Sequence, residues 1–94
     1  MSITKADPCN CELRSSLSKH FLRTRDFLDI SQMEFASELN IDRRSYIDIE
    51  HSENLCCTMT LLIYLCYYCK DPTALLSDCK DIFDKYLPPP KYLS

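Results

Sequence analysis

Glycine is absent from all 94 residues. That absence removes the glycine-rich loops that cradle phosphates in nucleotide-binding folds. It also leaves every reverse turn to Asn, Asp, Ser and Pro. Histidine is scarce: His20 and His51 stand apart, neither beside a paired acid or nucleophile, and both read as surface residues. No enzyme chemistry is expected. There is no apolar run of about eighteen residues, the length a membrane-spanning helix needs. There is also no basic segment followed by an apolar stretch at the start, so neither a membrane span nor a signal peptide is expected, and the cytoplasm is the expected location. Long alternating strand patterns are missing too, while helical spacing recurs, which favours an all-α chain.

What is present is enough apolar material, 46% of the chain, to build the core of one small domain. Residues 1–11 read as a flexible N-terminal segment, 12–87 as the domain and 88–94 as a Pro-rich tail opened by Pro88-Pro89-Pro90. Five helices are expected. The first runs from about Glu12 to Phe27, with Leu13, Leu17, Phe21, Leu22 and Leu28 inward. The second covers about 32–39 and the third about 43–51. The fourth, about 59–69 after a Thr58 cap, is apolar nearly all round (MTLLIYLCYYC), a sign of burial on several sides. The fifth, about 72–86, opens with Asp71 as cap and Pro72 at its first position. Its stripe is Ala74, Leu75, Ile82, Phe83 and Tyr86. The expected core joins Leu17, Phe21, Phe35, Ala36, Leu39, Ile41, Ile49, Leu62 and Leu65.

Residues 31–50, SQMEFASELNIDRRSYIDIE, are the most informative stretch. Ser31 is a helix cap, and Glu34 three residues on completes a capping box. Phe35, Ala36 and Leu39 mark one face of that helix. Asn40 falls at the reversal, where a left-handed conformation is needed and Asn tolerates it. Ile41 is an apolar plug, and Asp42 caps a second helix. Arg43 and Arg44 open that helix on its exposed side.

This stretch resembles the phage-repressor and Cro-type (Xre-like) helix-turn-helix family. The matching positions are Gln32 after the cap, Ala36, Asn40 at the turn, Asp42 and Glu50. Phe21 to Arg25 looks like that family's first helix, and Thr60-Leu61-Leu62 like the start of its fourth, so the resemblance spans roughly 17–70. Asn40 at the turn and Ser52 are departures from residues that are often Gly there. The resemblance implies a five-helix repressor-like domain with its third helix in the major groove of double-stranded DNA. It puts base contacts at Arg43, Arg44 and Asp48, with Ser45 beside them. An arginine can fork onto guanine O6 and N7, and Asp48 can accept from cytosine N4. Gln32, at a helix N-terminus, and Asn54, in the following loop, are the implied phosphate contacts. Arg25 and Glu50 match a structural salt bridge that fixes the recognition helix without touching bases.

Charge argues the other way. The net charge is −3, and phosphate neutralisation supplies most non-specific DNA affinity. Its distribution is polarised, however. Arg14, Lys19, Arg23, Arg25, Arg43 and Arg44 lie in the first half, whereas Asp71, Asp78, Asp81 and Asp84 lie in the last helix. One face can therefore still meet DNA.

Seven cysteines are present. Cys9-Asn-Cys11 and Cys66-Tyr-Tyr-Cys69 supply the four thiolates a structural zinc takes, but the second pair lies in a helix and the spacing fits no familiar zinc module. Burial as small hydrophobes is the preferred reading, and no metal or cofactor is expected. Cys56, Cys57 and Cys79 read as packing or surface thiols, and disulfides should not persist in the cytoplasm.

The leading expectation is a small sequence-specific DNA-binding regulator. It works as a homodimer on a palindromic site, with Tyr67, Tyr68, Leu75, Leu76, Phe83 and Tyr86 supplying the two-fold interface. The alternative is a protein-interaction or antitoxin-like module that kept the fold with weak or no DNA binding. It would dock a protein partner through the apolar fourth helix or the tail. A third reading is a thiol-based sensor, which needs Cys66 and Cys69 exposed or metal-bound.

Overall fold

A computed structural model of the chain describes residues 7–91. The expected flexible stretch at 1–6 and the last three residues of the tail lie outside the described residues. Five helices make up the domain, and no strand occurs among the described residues. They are α1 (Pro8–Leu28), α2 (Gln32–Glu38), α3 (Arg43–Glu50), α4 (Thr58–Ile63, continued by a π-helical turn over Tyr64–Tyr68) and α5 (Pro72–Tyr86).

Local side-chain chemistry sets most of the ends. The α1 helix begins four residues before the expected start. Asp7 accepts a hydrogen bond from the Cys9 N–H at 2.9 Å, and Pro8, which has no N–H to satisfy, takes the first helical position. Cys9 is therefore a buried helical residue and not part of an irregular segment. At α2 the Ser31–Glu34 capping box is complete, with both bonds at 3.0 Å. Asp42 caps α3, and Asp71 caps α5 by accepting the Ala74 N–H at 3.0 Å. Thr58 does not cap α4. Cys57 holds that position, and Thr58 is the first helical residue.

Among the described residues, three take left-handed backbone: Asp29 (φ 55°), Asn40 (φ 62°) and Ser52 (φ 60°). Each closes a helix, as glycine often does in other chains. At the α2–α3 turn, Asn40 lets the Ile41 N–H reach back to the Ala36 carbonyl at 3.0 Å.

The core is built on α1. One side of α1 packs on α3 and another on α5, while α2 packs on α3. Phe21 is fully buried at the centre, its ring centroid 4.3 Å from Tyr64 and 6.4 Å from both Phe35 and Tyr46. Leu17, Ala36, Leu39, Ile49 and Leu75 complete the buried cluster. Such aromatic pairs contribute about 0.5–1.5 kcal/mol each beyond area burial.

Several core assignments need correction. Leu62 is 53% exposed, and its expected place belongs to Tyr64. Ile41 and Leu65 are half-buried against the cluster. Leu22 and Leu28 are exposed on α1, and Phe83 is exposed on α5. Leu62 falls two residues from both buried Thr60 and buried Tyr64, on the opposite face of the helix, and a segment apolar all round gives the sequence no phase to tell which face is inward. In the π turn that follows, the Cys69 N–H bonds to the Tyr64 carbonyl, five residues back. Tyr64 is aimed at Phe21, and its hydroxyl donates to the His20 carbonyl at 3.1 Å while pairing with Thr24 Oγ1 at 2.7 Å. Burial pushes the Tyr64 hydroxyl up to about 12. Tyr68 stacks edge-on to Phe35 and donates to Glu38 at 2.6 Å.

Polar contacts join α1 to α5. His20 meets Asp78 at 2.7 Å, Lys85 meets Glu12 at 3.1 Å, and the Tyr86 hydroxyl donates to Glu12. His20 is thus engaged at the α1–α5 seam and is not a free surface residue.

Candidate nucleic-acid interface

The candidate face is the α2–turn–α3 unit, and a single carboxylate fixes its position. Glu50, the last residue of α3, is buried, with its side chain 3% exposed. Arg25 of α1 forks onto it, Nε to Oε2 at 2.5 Å and Nη2 to Oε1 at 3.2 Å. The Tyr46 hydroxyl, one turn back, donates to the same carboxylate. Gln32 Nε2, at the first position of α2, donates to Oε1 at 3.0 Å. Ser18 of α1 adds a bond to the Glu50 carbonyl at 2.5 Å. Burial alone would raise the Glu50 carboxyl. The hydrogen bonds from Arg25, Tyr46 and Gln32 outweigh it and hold the group below the usual carboxylate range. Burial, and then the bond to Glu50, push the Tyr46 hydroxyl well above the usual tyrosine range. The expected Arg25–Glu50 pair is therefore present. It is one arm of a network tying α1, α2 and α3 to a single buried charge.

Gln32 is half-buried, and its side chain is turned inward. This differs from the phosphate contact that the resemblance implies, because the buried Glu50 carboxylate draws the amide inward. One amide hydrogen is committed to Glu50, which leaves the other hydrogen and the carbonyl oxygen.

Arg43, Arg44 and Ser45 form the exposed first turn of α3. Arg43 has no ion-pair partner among the described residues. Arg44 reaches Asp48, one turn on, with Nε to Oδ1 at 3.4 Å. Asn54 Nδ2 lies 3.4 Å from the other Asp48 oxygen. Arg44, half-buried Asp48 and Asn54 thus form one cluster, in which Arg43 makes no ion pair. Ser45 serves the cap: its hydroxyl donates to Asp42 Oδ1 at 2.6 Å and its N–H to Oδ2 at 3.1 Å. Those two bonds hold the Asp42 carboxyl below its ordinary value.

The loop after α3 is held from behind. The Asp48 carbonyl accepts the Glu53 N–H at 2.8 Å, and Arg14 Nη1 donates to the Ser52 and Glu53 carbonyls at 3.0 and 3.1 Å. Sequence reasoning missed this role of Arg14, since nothing local links residue 14 to residue 52.

No known family, curated protein or solved structure matches this chain. The site therefore rests on its own geometry. No group of three or more metal-ligating side chains occurs among the described residues. The two thiol pairs are not alike: Cys9 is buried, whereas Cys66 is exposed. None of the seven cysteines forms a disulfide. Cys57 is exposed, and its thiol is held below the ordinary value by hydrogen bonds from Thr60; burial pushes the Cys56 thiol up to about 11. No helix among the described residues is long and apolar enough to cross a membrane.

Proposed function

We propose that this chain is a small sequence-specific DNA-binding regulator of the phage-repressor and Cro-type helix-turn-helix kind, with α2 and α3 as its two motif helices. The observation that carries the reading is the exposed first turn of α3. It presents Arg43 and Arg44 on a helix whose far end is clamped through Glu50. A helix entering the major groove contacts bases with its N-terminal residues, and a fixed seat is what lets them discriminate. In this reading Arg43 forks onto a guanine. Arg44 does the same, or yields to Asp48, which can take a cytosine N4 hydrogen. Asn54, and the remaining amide hydrogen of Gln32, hold phosphates.

The regulator works as a homodimer on two half-sites about one helical turn (~34 Å) apart. The interface proposed here is narrower than the sequence implied. Leu75 is in the core, and the hydroxyls of Tyr68 and Tyr86 are taken by Glu38 and Glu12. Tyr67, Leu76 and Phe83 remain exposed, and the last two, two turns apart, form its stripe on α5.

The test is selection of bound sequences from random duplexes at low and moderate salt, followed by binding of Arg43→Ala and Arg44→Ala to the selected site. A recovered palindrome, with preference relaxed at one base pair per arginine, supports the reading. Feeble binding erased by salt and equal for wild type and variants sinks it. The second reading, a protein-interaction module without DNA affinity, then gains ground. It is favoured by the net charge of −3 and by the exposed Met59, Leu62 and Tyr67 of α4 and its π turn.

A further inference from the structure

A cleft of about 490 Å³ lies between the last turns of α1, the π turn and the start of α5. It uses none of the residues of the α2–α3 face. We propose that this cleft is a binding site for a small amphipathic anion, with a carboxylate or sulfonate head and an aliphatic or aromatic body. The volume falls within the range of about 300–1,000 Å³ typical of small-molecule sites. Its walls are largely apolar and open to solvent: Phe27 is 65%, Tyr67 79% and Leu28 38% exposed.

The charges around it select the head group. His20 is taken by Asp78 at 2.7 Å, and Asp71 is turned to the Ala74 N–H as a helix cap. Thr24 and Tyr64 satisfy each other at 2.7 Å. Two cations, Arg23 and Lys70, remain, and neither has an ion-pair partner among the described residues. Lys70 places its ammonium 3.1 Å from the centre of the Phe27 ring, directly over the apolar wall. A cation held over an aromatic wall, with a second cation lining the same cleft, suits an anionic head whose tail lies against Leu28 and Tyr67. The π turn supplies much of the lining, with Tyr64 buried and Tyr67 exposed, and such turns are frequent at functional sites.

The experiment uses the full chain and monomeric decanoate, with decanol as the uncharged control and titration calorimetry as the readout. One saturable site is expected, with decanol bound at least tenfold more weakly. The double variant Arg23→Glu/Lys70→Glu should bind decanoate at least tenfold more weakly. Lys80→Glu/Lys91→Glu, which changes net charge equally, should bind like wild type. Amide shifts of the wild-type protein should localise to Thr24, Phe27, Tyr67 and Lys70, a readout that needs no variant. Absence of saturable binding overturns the proposal, as does equal affinity for decanol, an unaffected double variant, or shifts confined to α2 and α3. DNA selection is a separate measurement, so failure here leaves the reading of the α2–α3 face untouched.

Discussion

Arg25 and Glu50, 25 residues apart in sequence, meet through both arms of the guanidinium, and the carboxylate is far more deeply buried than the arginine. Removing one partner of a buried pair strands the other, at a cost of about 3–5 kcal/mol. Arg25 keeps some solvent access, so Glu50→Ala should cost about 3 kcal/mol, at the low end of that range. In a domain of this size about 1 kcal/mol moves the melting temperature by roughly 4–8 °C, so thermal denaturation should show a loss above 10 °C. An unchanged melting temperature would mean that the pair is not structural.

The same carboxylate sets a pH dependence. Its folded pKa lies below its ordinary value of 4.5, so the ionised form stabilises the fold above that value. The contribution disappears as pH falls through the lower, folded value. Urea midpoints should therefore be flat near neutrality and fall below about 4.5. In Glu50→Gln the neutral-pH midpoint should drop and the acid decline should become shallower. A decline as steep as wild type would assign the acid sensitivity to other carboxylates.

Ser52 adopts φ 60° with no side-chain reason to prefer it. A left-handed residue with a Cβ costs about 1–2 kcal/mol, while glycine costs about 0.5–1 kcal/mol in unfolded-state entropy. Ser52→Gly should stabilise the domain by about 0.5 kcal/mol, and Ser52→Val should destabilise it by more than that. Chemical denaturation of the pair decides the sign. Asn40→Gly should gain less, because asparagine already tolerates this region.

On DNA, Arg43 and Gln32 should separate. Arg43→Ala should lose about 1–3 kcal/mol on the selected site and relax preference at one base pair. Gln32→Ala should weaken all duplexes alike. It should also lower stability by about 1 kcal/mol, because it removes a donor from the buried Glu50 carboxylate. Filter binding to selected and scrambled duplexes, with melting curves in parallel, distinguishes the two. A Gln32→Ala protein of wild-type stability would mean that its inward bond contributes nothing.

Leu76 and Phe83 should hold the homodimer. Sedimentation at micromolar concentration should give a dimer for wild type and a monomer for Leu76→Asp that stays folded, because both side chains are exposed on the protomer, but melts lower by losing the stabilisation of the dimer. A monomeric wild type would remove the basis for a palindromic site.

Helix ends were the most legible part of this sequence, because capping is local. Ser31 with Glu34, Asp42, Asn40, and Asp71 with Pro72 all behave as their residue types dictate. Asp7-Pro8 carried the same signature as Asp71-Pro72 but sat among small polar residues that read as irregular chain. The fourth helix was less legible. A segment apolar on every side gives no phase, so nothing in the sequence shows that Tyr64, which shares a face with Thr60 four residues earlier, is inward and Leu62 outward. At the candidate site the exposed arginines were readable. The inward turn of Gln32 was not, since it depends on where the end of α3 comes to lie beside α2.

The packing of α1 against α5 also governs how the fold can be completed during synthesis. Phe21 leaves the ribosome well before Leu75, yet the two share one buried cluster. Until α5 emerges, a nascent chain already holding α1 to α4 keeps the Phe21–Tyr64 side open to water. Closing it brings together segments far apart along the chain, at an entropic cost paid late. The α2–α3 unit, built from near neighbours and fixed caps, can order first, whereas the apolar side it leaves uncovered is the stage at which the growing chain is most exposed to aggregation.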